Sequence, residues 1–145
     1  MSRPASGPEL LRIHIDGASR GNPGDAGFGV FVTDGQGVEV ASLYGYIGRA
    51  TNNVAEYEAL IQALRYARAR GAKRVRIFSD SELVVRQVNG EYKVKHPDMK
   101  VLNQEAAALR RGFPEAQVAH VPREQNRQAD RLANRALDEK GSKLE

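Results

Sequence analysis

The sequence has no cysteine among its 145 residues, no apolar run long enough to span a bilayer, and only a small excess of positive charge. The absence of cysteine excludes disulfide bonds and zinc sites built from thiolates. The short apolar runs exclude a membrane-spanning helix, and the N-terminus lacks the charged and then apolar pattern of a secretory signal. We therefore expect a cytoplasmic protein without a membrane partner.

The composition is typical of a folded globular protein, since 41% of the residues are hydrophobic and they recur in periodic segments. The length predicts one domain at residues 10–140, between a loose tail at 1–9 and a C-terminal tail at 141–145. Lys and Arg number 22, against 18 Asp and Glu. This surplus favours a polyanionic partner, and we expect a monomer without an obligate protein partner.

Alternating apolar residues predict three strands in the first third of the chain. These strands cover residues 11–16, 28–33 and 38–47. A turn-rich connection with Gly-Asn-Pro-Gly at its centre is predicted at 17–27, and a hairpin loop at 34–37. The three strands therefore form an antiparallel meander.

Helical spacing of apolar residues begins after the third strand. Asn53, followed three residues later by Glu56, resembles a capping box, and Gly71 is a natural stop for this helix. The predicted elements are a helix at 53–70, a strand at 74–78, a helix at 81–88, a loop at 91–98, a helix at 99–111, a strand at 117–121 and a helix at 125–139. The order βββαβααβα indicates an α/β fold.

Four acidic residues lie where a predicted strand ends or a helix begins: Asp16, Glu56, Asp80 and Asp130. A cluster of carboxylates supplies the hard oxygen ligands that divalent cations need in phosphodiester hydrolysis. Taken singly, each has an ordinary explanation as a turn residue, a helix cap or a solvated surface acid. Periodicity does not separate Glu56 from Glu58, because the two flank the apolar stripe of their helix on opposite sides.

The contexts of these acids make the chain resemble the type 1 ribonuclease H family over residues 10–137. The matching stretches are Ile-Asp-Gly-Ala-Ser at 15–19, Gly-Asn-Pro-Gly at 21–24, Thr-Asn-Asn at 51–53, Phe-Ser-Asp-Ser at 78–81 and His-Val-Pro-Arg-Glu-Gln-Asn at 120–126. The resemblance implies a five-stranded mixed sheet of strand order 3-2-1-4-5 with helices on both faces. It also implies that Asp16, Glu56, Asp80 and Asp130 converge, and it selects Glu56 over Glu58.

The family resemblance implies an endoribonuclease that cleaves the RNA strand of RNA–DNA hybrids and leaves 3′-hydroxyl and 5′-phosphate ends. Two Mg²⁺ ions held by the four carboxylates would activate water and stabilise the departing 3′-oxygen, and Mn²⁺ can substitute. The positions matching those that read the minor groove and the 2′-hydroxyls are Gly17, Ser19, Asn22, Asn52 and Asn53. Thr51 matches a position that contacts a phosphate of the DNA strand.

The chain departs from the family pattern at three places. The connection at 89–98 is too short for the basic protrusion of many bacterial members, so the chain is similar to the short subgroup without it. Val54 stands where an arginine assists Thr51 in members with the protrusion. His120 has the spacing of the mobile catalytic histidine, but it lies inside the fifth predicted strand, so Arg123 is our preferred candidate for product release or phosphate binding.

Two alternatives to a hybrid-specific nuclease remain from the sequence. One is a nuclease that also cleaves double-stranded RNA, an activity that the short loop and the altered phosphate pocket would permit. A noncatalytic module that binds hybrids or double-stranded RNA on the same fold is the other alternative. The presence of all four carboxylates argues against a pure binder, because an acidic cluster repels a polyanion in the absence of metal.

Overall fold

The computed structural model describes residues 7–144 and contains one mixed α/β domain. Its strands are β1 (Leu10–Gly21), β2 (Gly24–Asp34), β3 (Glu39–Ala50), β4 (Arg74–Ser79) and β5 (Glu115–His120). Its helices are α1 (Asn52–Ala69), α2 (Glu82–Val88), α3 (Pro97–Arg110) and α4 (Arg127–Glu139), with a 3₁₀ turn at Arg123–Gln125. No helix within residues 7–144 has the length and apolar character needed to traverse a membrane.

The five strands form one sheet in the order β3-β2-β1-β4-β5, as predicted. β1 pairs antiparallel with β2 and parallel with β4, while β5 pairs parallel with β4. The main core lies between the sheet and the helices α1 to α3, and α4 packs on the other face against β1, β2 and β3. The expectation of helices on both faces is therefore confirmed.

The predicted turn-rich connection at 17–27 is wrong except at its centre. β1 continues to Gly21 and β2 already begins at Gly24, so the chain turns at Asn22 and Pro23. Four glycines in this stretch conceal the alternation that identifies a strand. Gly29, just beyond it, shows why small residues are needed, because a Cβ there would lie 2.2 Å from the carbonyl oxygen of Ala129 in α4.

The helix beginnings also differ from those predicted. Thr51, rather than Asn53, caps α1, since its hydroxyl accepts a hydrogen bond from the backbone N–H of Val54 at 3.2 Å. The capping box is therefore wrong, because the Glu56 side chain binds elsewhere. α3 starts at Pro97, a residue suited to the first turn of a helix, rather than at Met99.

Parts of both predicted tails lie against the domain. Residues 1–6 of the N-terminal tail fall outside the described residues, while the carbonyl of Glu9 accepts from the N–H of Arg74 at 3.0 Å. At the other end, Lys143 forms an isolated antiparallel bridge with Tyr44 on the edge strand β3. Lys143 thus continues the sheet by one residue pair, which the polar sequence around it does not indicate.

Candidate active site

Asp16 and Asp80 reach the same edge of the sheet from neighbouring parallel strands. Ile15 of β1 and Ser79 of β4 are the last pair of this parallel register, so Asp16, within β1, and Asp80, just after β4, lie side by side where the parallel pairing ends. Asp16 is buried, with 6% of its surface exposed. The carboxyl ends of parallel strands meet at one edge of a sheet, and ligand sites are common there.

Glu56 is brought to this edge by the close approach of α1 to β1. The backbone N–H of Gly17 donates to Oε1 of Glu56 at 2.7 Å, and the Ser79 hydroxyl donates to Oε2 at 3.1 Å. A Cβ on residue 17 would lie 2.3 Å from the backbone nitrogen of Glu56, so only glycine fits. Glu58 instead lines a neighbouring depression, which agrees with the choice of Glu56 that the family pattern predicts.

The three carboxylates form one compact group of oxygen ligands. Asp16, Glu56 and Asp80 each offer an oxygen atom, and these atoms lie within 4.8 Å of one another. Asp130, in the first turn of α4, lines the same cleft of about 430 Å³. The structure therefore brings the four predicted acids to one cleft, with three of them in the tightest group.

Burial and mutual repulsion dominate the electrostatics of the cluster. The pKa of Asp16 is raised far above its ordinary value, first by burial and then by the charge of Glu56. Burial also raises the pKa of Glu56, although hydrogen bonds with Asp16 and Gly17 partly offset the effect. Within residues 7–144, Arg123 is the single cationic side chain that lines the cleft.

The donor set of this cleft fits a divalent metal ion. Its ligands are carboxylate oxygens, the atoms that hard cations such as Mg²⁺ prefer. Two buried and two half-buried carboxylates with one arginine beside them favour a bound cation, because the cation would stabilise their ionised forms. Asp16, Glu56, Asp80 and Asp130 are the residues that would hold it.

The six predicted substrate residues lie in different places: three line the cleft, one lies at its rim, one faces the neighbouring depression and one lines neither hollow. Gly17, Ser19 and Asn52 line the cleft with the carboxylates. Asn22 lies at its rim, where its side-chain oxygen accepts from the N–H of Asn52 at 3.1 Å and ties the β1–β2 turn to α1. Thr51 faces the neighbouring depression together with Arg49, Val54, Glu58 and Asp98. Asn53 is half-buried in the first turn of α1 and is absent from the lining of either hollow.

The structure separates the two candidates for the mobile catalytic group. Arg123, in the 3₁₀ turn before α4, lines the carboxylate cleft. His120 is the exposed last residue of β5 and lines a different groove, between β5 and α2. The geometry therefore favours Arg123 over His120 as a group that contacts substrate.

Two fully buried polar residues support the cleft and have no role assigned from sequence. Asn126 donates from Nδ2 to the carbonyl of Ile15 at 2.8 Å and to Oδ2 of Asp80 at 3.3 Å. Ser79 donates to Glu56 and accepts from the N–H of Ser81 at 3.0 Å. Both residues lie inside the motif stretches, but Ile15, Asp80 and Glu56 are distant from them in sequence, so no local pattern predicts the bonds to these three partners.

Asn134, one turn after Asp130 on α4, is a third residue that the sequence does not single out. Its Nδ2 donates to the carbonyl of Asp130 at 3.0 Å, and its side chain lines the cleft. Arg20 of β1 contacts the amide oxygen of Asn134 at 3.4 Å and the carboxylate of Asp138 at 2.7 Å. The two contacts of Arg20 are exposed, so they contribute little to the position of α4.

Comparison with known proteins identifies relatives of this fold and site. A family described as reverse transcriptase-like matches residues 14–136. Ribonuclease HI of Halobacterium salinarum is 45% identical over 130 residues, which is 88% of this chain and 65% of that protein. The crystal structure of RNase H1 from that organism has a TM-score of 0.87 at 44% identity, covering 90% of this chain and 98% of that one.

Two further relatives agree with this assignment. The bifunctional protein Rv2228c of Mycobacterium tuberculosis is 49% identical over 127 residues, 87% of this chain and 35% of that protein. Its N-terminal RNase H domain has a TM-score of 0.87 at 46% identity, covering 90% of this chain and 94% of that one. LC11-RNase H1, isolated from compost and solved in complex with an RNA/DNA hybrid, has a TM-score of 0.85 at 44% identity, covering 90% and 98%.

The chain matches only part of the length of two of these relatives. The chain spans 35% of the mycobacterial protein and 65% of the Halobacterium protein, so the likeness to these full-length proteins is that of a domain. The family match runs from within β1 to within α4, at residues 14–136, and the connection between α2 (ending at Val88) and α3 (beginning at Pro97) is short, as predicted. On this sequence and structural likeness, the chain belongs to the type 1 ribonuclease H family.

Proposed function

We propose that this protein is a metal-dependent endoribonuclease that hydrolyses the RNA strand of RNA–DNA hybrids and leaves 3′-hydroxyl and 5′-phosphate ends. The observation that carries the proposal is the group of Asp16, Glu56 and Asp80, whose ligand atoms lie within 4.8 Å of one another. The likeness of the whole chain to LC11-RNase H1, which was solved with an RNA/DNA hybrid, supports a hybrid as the substrate. Family membership supports the reaction class.

We propose Mg²⁺ as the physiological metal, two ions per site, with Mn²⁺ as a substitute. When bound, these cations supply Lewis-acid activation of water and stabilisation of charge on the leaving oxygen. Asp16, Glu56 and Asp80 hold the cation group, and Asp130 completes the cleft from α4. Asn126 and Ser79 keep two of these carboxylates aimed at the cleft through fixed hydrogen bonds.

The rim of the cleft offers groups for recognising the RNA strand. Gly17, Ser19 and Asn52 line the cleft beside the carboxylates, where small polar side chains and backbone amides suit a shallow minor groove. Contacts of these groups with 2′-hydroxyls would distinguish RNA from DNA. Arg123 supplies the positive charge that a substrate phosphate requires on the α4 side of the same cleft.

Cleavage of double-stranded RNA is a second candidate activity. The depression that contains Thr51 is lined by Val54 and by two acids, Glu58 and Asp98, with Arg49 as its one cation among the described residues. Such a surface binds a phosphate of a DNA strand weakly. It therefore discriminates less between a DNA strand and an RNA strand as the partner of the cleaved strand.

We also propose that the protein acts as a monomer in the cytoplasm, since neither the sequence motifs nor the proposed reaction requires a partner.

The experiment that tests these proposals is cleavage of end-labelled RNA–DNA hybrid beside matched double-stranded RNA, single-stranded RNA and double-stranded DNA. Each substrate is incubated with Mg²⁺, with Mn²⁺ and with chelator, using the native chain, Asp80→Asn and Asp138→Asn. Asp138 is an exposed carboxylate of α4 outside the cleft, so its variant is the matched control. We expect metal-dependent cutting of the RNA strand that is lost only in Asp80→Asn.

Two outcomes would change the proposal. Hybrid binding without cleavage under every metal condition would leave a hybrid-binding module on this fold. Equal cleavage of hybrid and double-stranded RNA would extend the substrate class to both duplexes.

A further inference from the structure

The α4 side of the sheet is covered by a helix over only part of its area. α4 packs on β1, β2 and β3, and it lies closest to the sheet at Gly29, which pairs with Asp16. It has no comparable packing on β4 or β5 among the described residues. The uncovered part contains Arg12 and His14 of β1 and Arg76 and Phe78 of β4, and we call these four residues the open sheet face.

The register places the four residues of the open sheet face in two adjacent rows. Arg12 pairs with Arg76, and His14 pairs with Phe78. All four alternate along their strands with fully buried core residues, so their side chains project from the opposite side of the sheet. Each is half-buried, as expected for long side chains that lie along a sheet surface without a helix above them.

The open sheet face carries a stack of planar groups. The His14 ring stacks on the Phe78 ring with centroids 4.9 Å apart and an interplanar angle of 28°. The guanidinium carbon of Arg12 lies 5.4 Å from the centroid of the same Phe78 ring. Aromatic rings and guanidinium planes are the groups on which proteins stack unpaired nucleic-acid bases.

The positive charge of the open sheet face is not compensated within the described residues. Neither Arg12 nor Arg76 forms an ion pair with any carboxylate of residues 7–144. Arg74, the next residue on this side of β4, contacts both Glu9 and Glu115. Nε of Arg76 and Nδ1 of His14 are also buried without a hydrogen-bond partner. Arginines left unpaired beside an aromatic stack favour an anionic ligand that has planar groups.

We propose that the open sheet face binds a segment of single-stranded RNA or DNA, with phosphates at Arg12 and Arg76 and a base on the stack of Arg12, Phe78 and His14. A duplex hides its base faces, so it cannot use the stack. An acidic peptide would satisfy the arginines but leaves the aromatic row without a function. His14 and Phe78 each lie two residues before a carboxylate of the cleft, Asp16 and Asp80, at about 7 Å along the strand, so the stack adjoins the cleft. Arg12 and Arg76 lie four residues before the same two aspartates, about 13 Å at roughly 3.3 Å per residue, so the two arginines are outside the cleft.

The test is fluorescence anisotropy with labelled single-stranded RNA and DNA of about ten nucleotides, in chelator so that no strand is cleaved. The proteins are the native chain, Arg12→Gln/Arg76→Gln, the harsher Arg12→Glu/Arg76→Glu, and Phe78→Leu. The matched control for the Glu pair is Arg68→Glu/Arg111→Glu, which makes the same charge change at two exposed arginines on the opposite face, one in the last turn of α1 and one just after α3. Circular dichroism identifies any variant that fails to fold, and the Gln pair then replaces the Glu pair.

We expect the Arg12/Arg76 variants to bind single strands about tenfold or more weakly, with a shallower salt dependence, while the control changes about twofold or less. Phe78→Leu should weaken binding about fivefold with an unchanged salt dependence, because it removes stacking and no charge. Cleavage of a blunt hybrid should be unchanged in the Gln pair. Absence of single-strand binding by the native chain, or equal losses in the control, would overturn the proposal. Binding of polyglutamate in place of single strands would reassign the face to an acidic protein segment.

Discussion

The backbone N–H of Gly17 donates to Oε1 of Glu56 at 2.7 Å, across a contact too close for any side chain on residue 17. This bond joins the strand that carries Asp16 to the helix that carries Glu56. It also satisfies one oxygen of a carboxylate that is 96% removed from solvent, since Glu56 is 4% exposed. The spacing of two carboxylates of the cleft, Asp16 and Glu56, therefore depends on one glycine.

Gly17→Ala should separate β1 from α1 at the cleft. The added Cβ would lie 2.3 Å from the Glu56 nitrogen, so the helix must shift. We expect a loss of about 1–3 kcal/mol in unfolding free energy and a fall in hybrid cleavage of about tenfold or more. Chemical denaturation and initial cleavage rates provide the measurements. Gly35→Ala is the matched control, because a Cβ there meets nothing closer than 3.7 Å and both quantities should stay near native values.

Asn126→Ala should weaken both the fold and the site. Asn126 is fully buried and bridges the Ile15 carbonyl and Asp80, so alanine leaves that carbonyl without its partner. We expect about 1–3 kcal/mol of destabilisation and a reduced kcat with a higher metal requirement. Asn134→Ala removes the same type of side chain from the lining of the cleft. It should lower the unfolding free energy less than Asn126→Ala does, since Asn134 is only half-buried. Equal metal titrations for Asn126→Ala and the native chain would contradict a positioning role for Asn126.

The sequence was sufficient to predict the sheet order and the residues of the cleft, but only where a local pattern or family motif marks them. Periodicity alone left Glu56 and Glu58 equivalent, because both flank the same apolar stripe. The contact that distinguishes them joins residues 39 positions apart, Gly17 and Glu56. The bond from Asn126 to Ile15 spans 111 positions. Such bonds depend on how β1, α1 and α4 pack together, which no sequence window contains.

Metal binding should stabilise the protein through the carboxylate cluster. A ligand that binds only the folded state at about 100 times its Kd adds about 2.7 kcal/mol to the unfolding free energy. We expect Mg²⁺ or Mn²⁺ to raise the Tm of the native chain and of Asp138→Asn, and not that of Asp16→Asn. In chelator at neutral pH, Asp16→Asn should be more stable than the native chain by on the order of 1–2 kcal/mol, because it removes a carboxyl group whose ionised form is disfavoured in the folded protein, first by burial and then by the charge of Glu56. A native Tm that is independent of divalent cations would refute the metal site.

The same cluster predicts how stability depends on pH in the absence of metal. The pKa values of Asp16 and Glu56 are raised in the folded protein, first of all by burial, whereas both groups titrate near 4 when the chain is unfolded. Above about pH 4 the folded state therefore holds more protons than the unfolded state, so the unfolding free energy falls as the pH rises towards the raised pKa values. Each such proton contributes a slope of at most about 1.4 kcal/mol per pH unit.

Denaturation of the native chain at several pH values between about 5 and 8, in chelator, measures this slope. Asp16→Asn should flatten it, because the most strongly shifted carboxyl group is gone. Saturating Mg²⁺ should flatten it as well, since carboxylates that bind a cation are ionised in the folded state. Asp138→Asn should keep the native slope, because that exposed carboxylate lies outside the cluster. Equal slopes for the native chain, Asp16→Asn and Asp138→Asn in chelator would contradict this prediction. They would mean that Asp16 is ionised in the folded protein without metal, so that a positive group would have to compensate it.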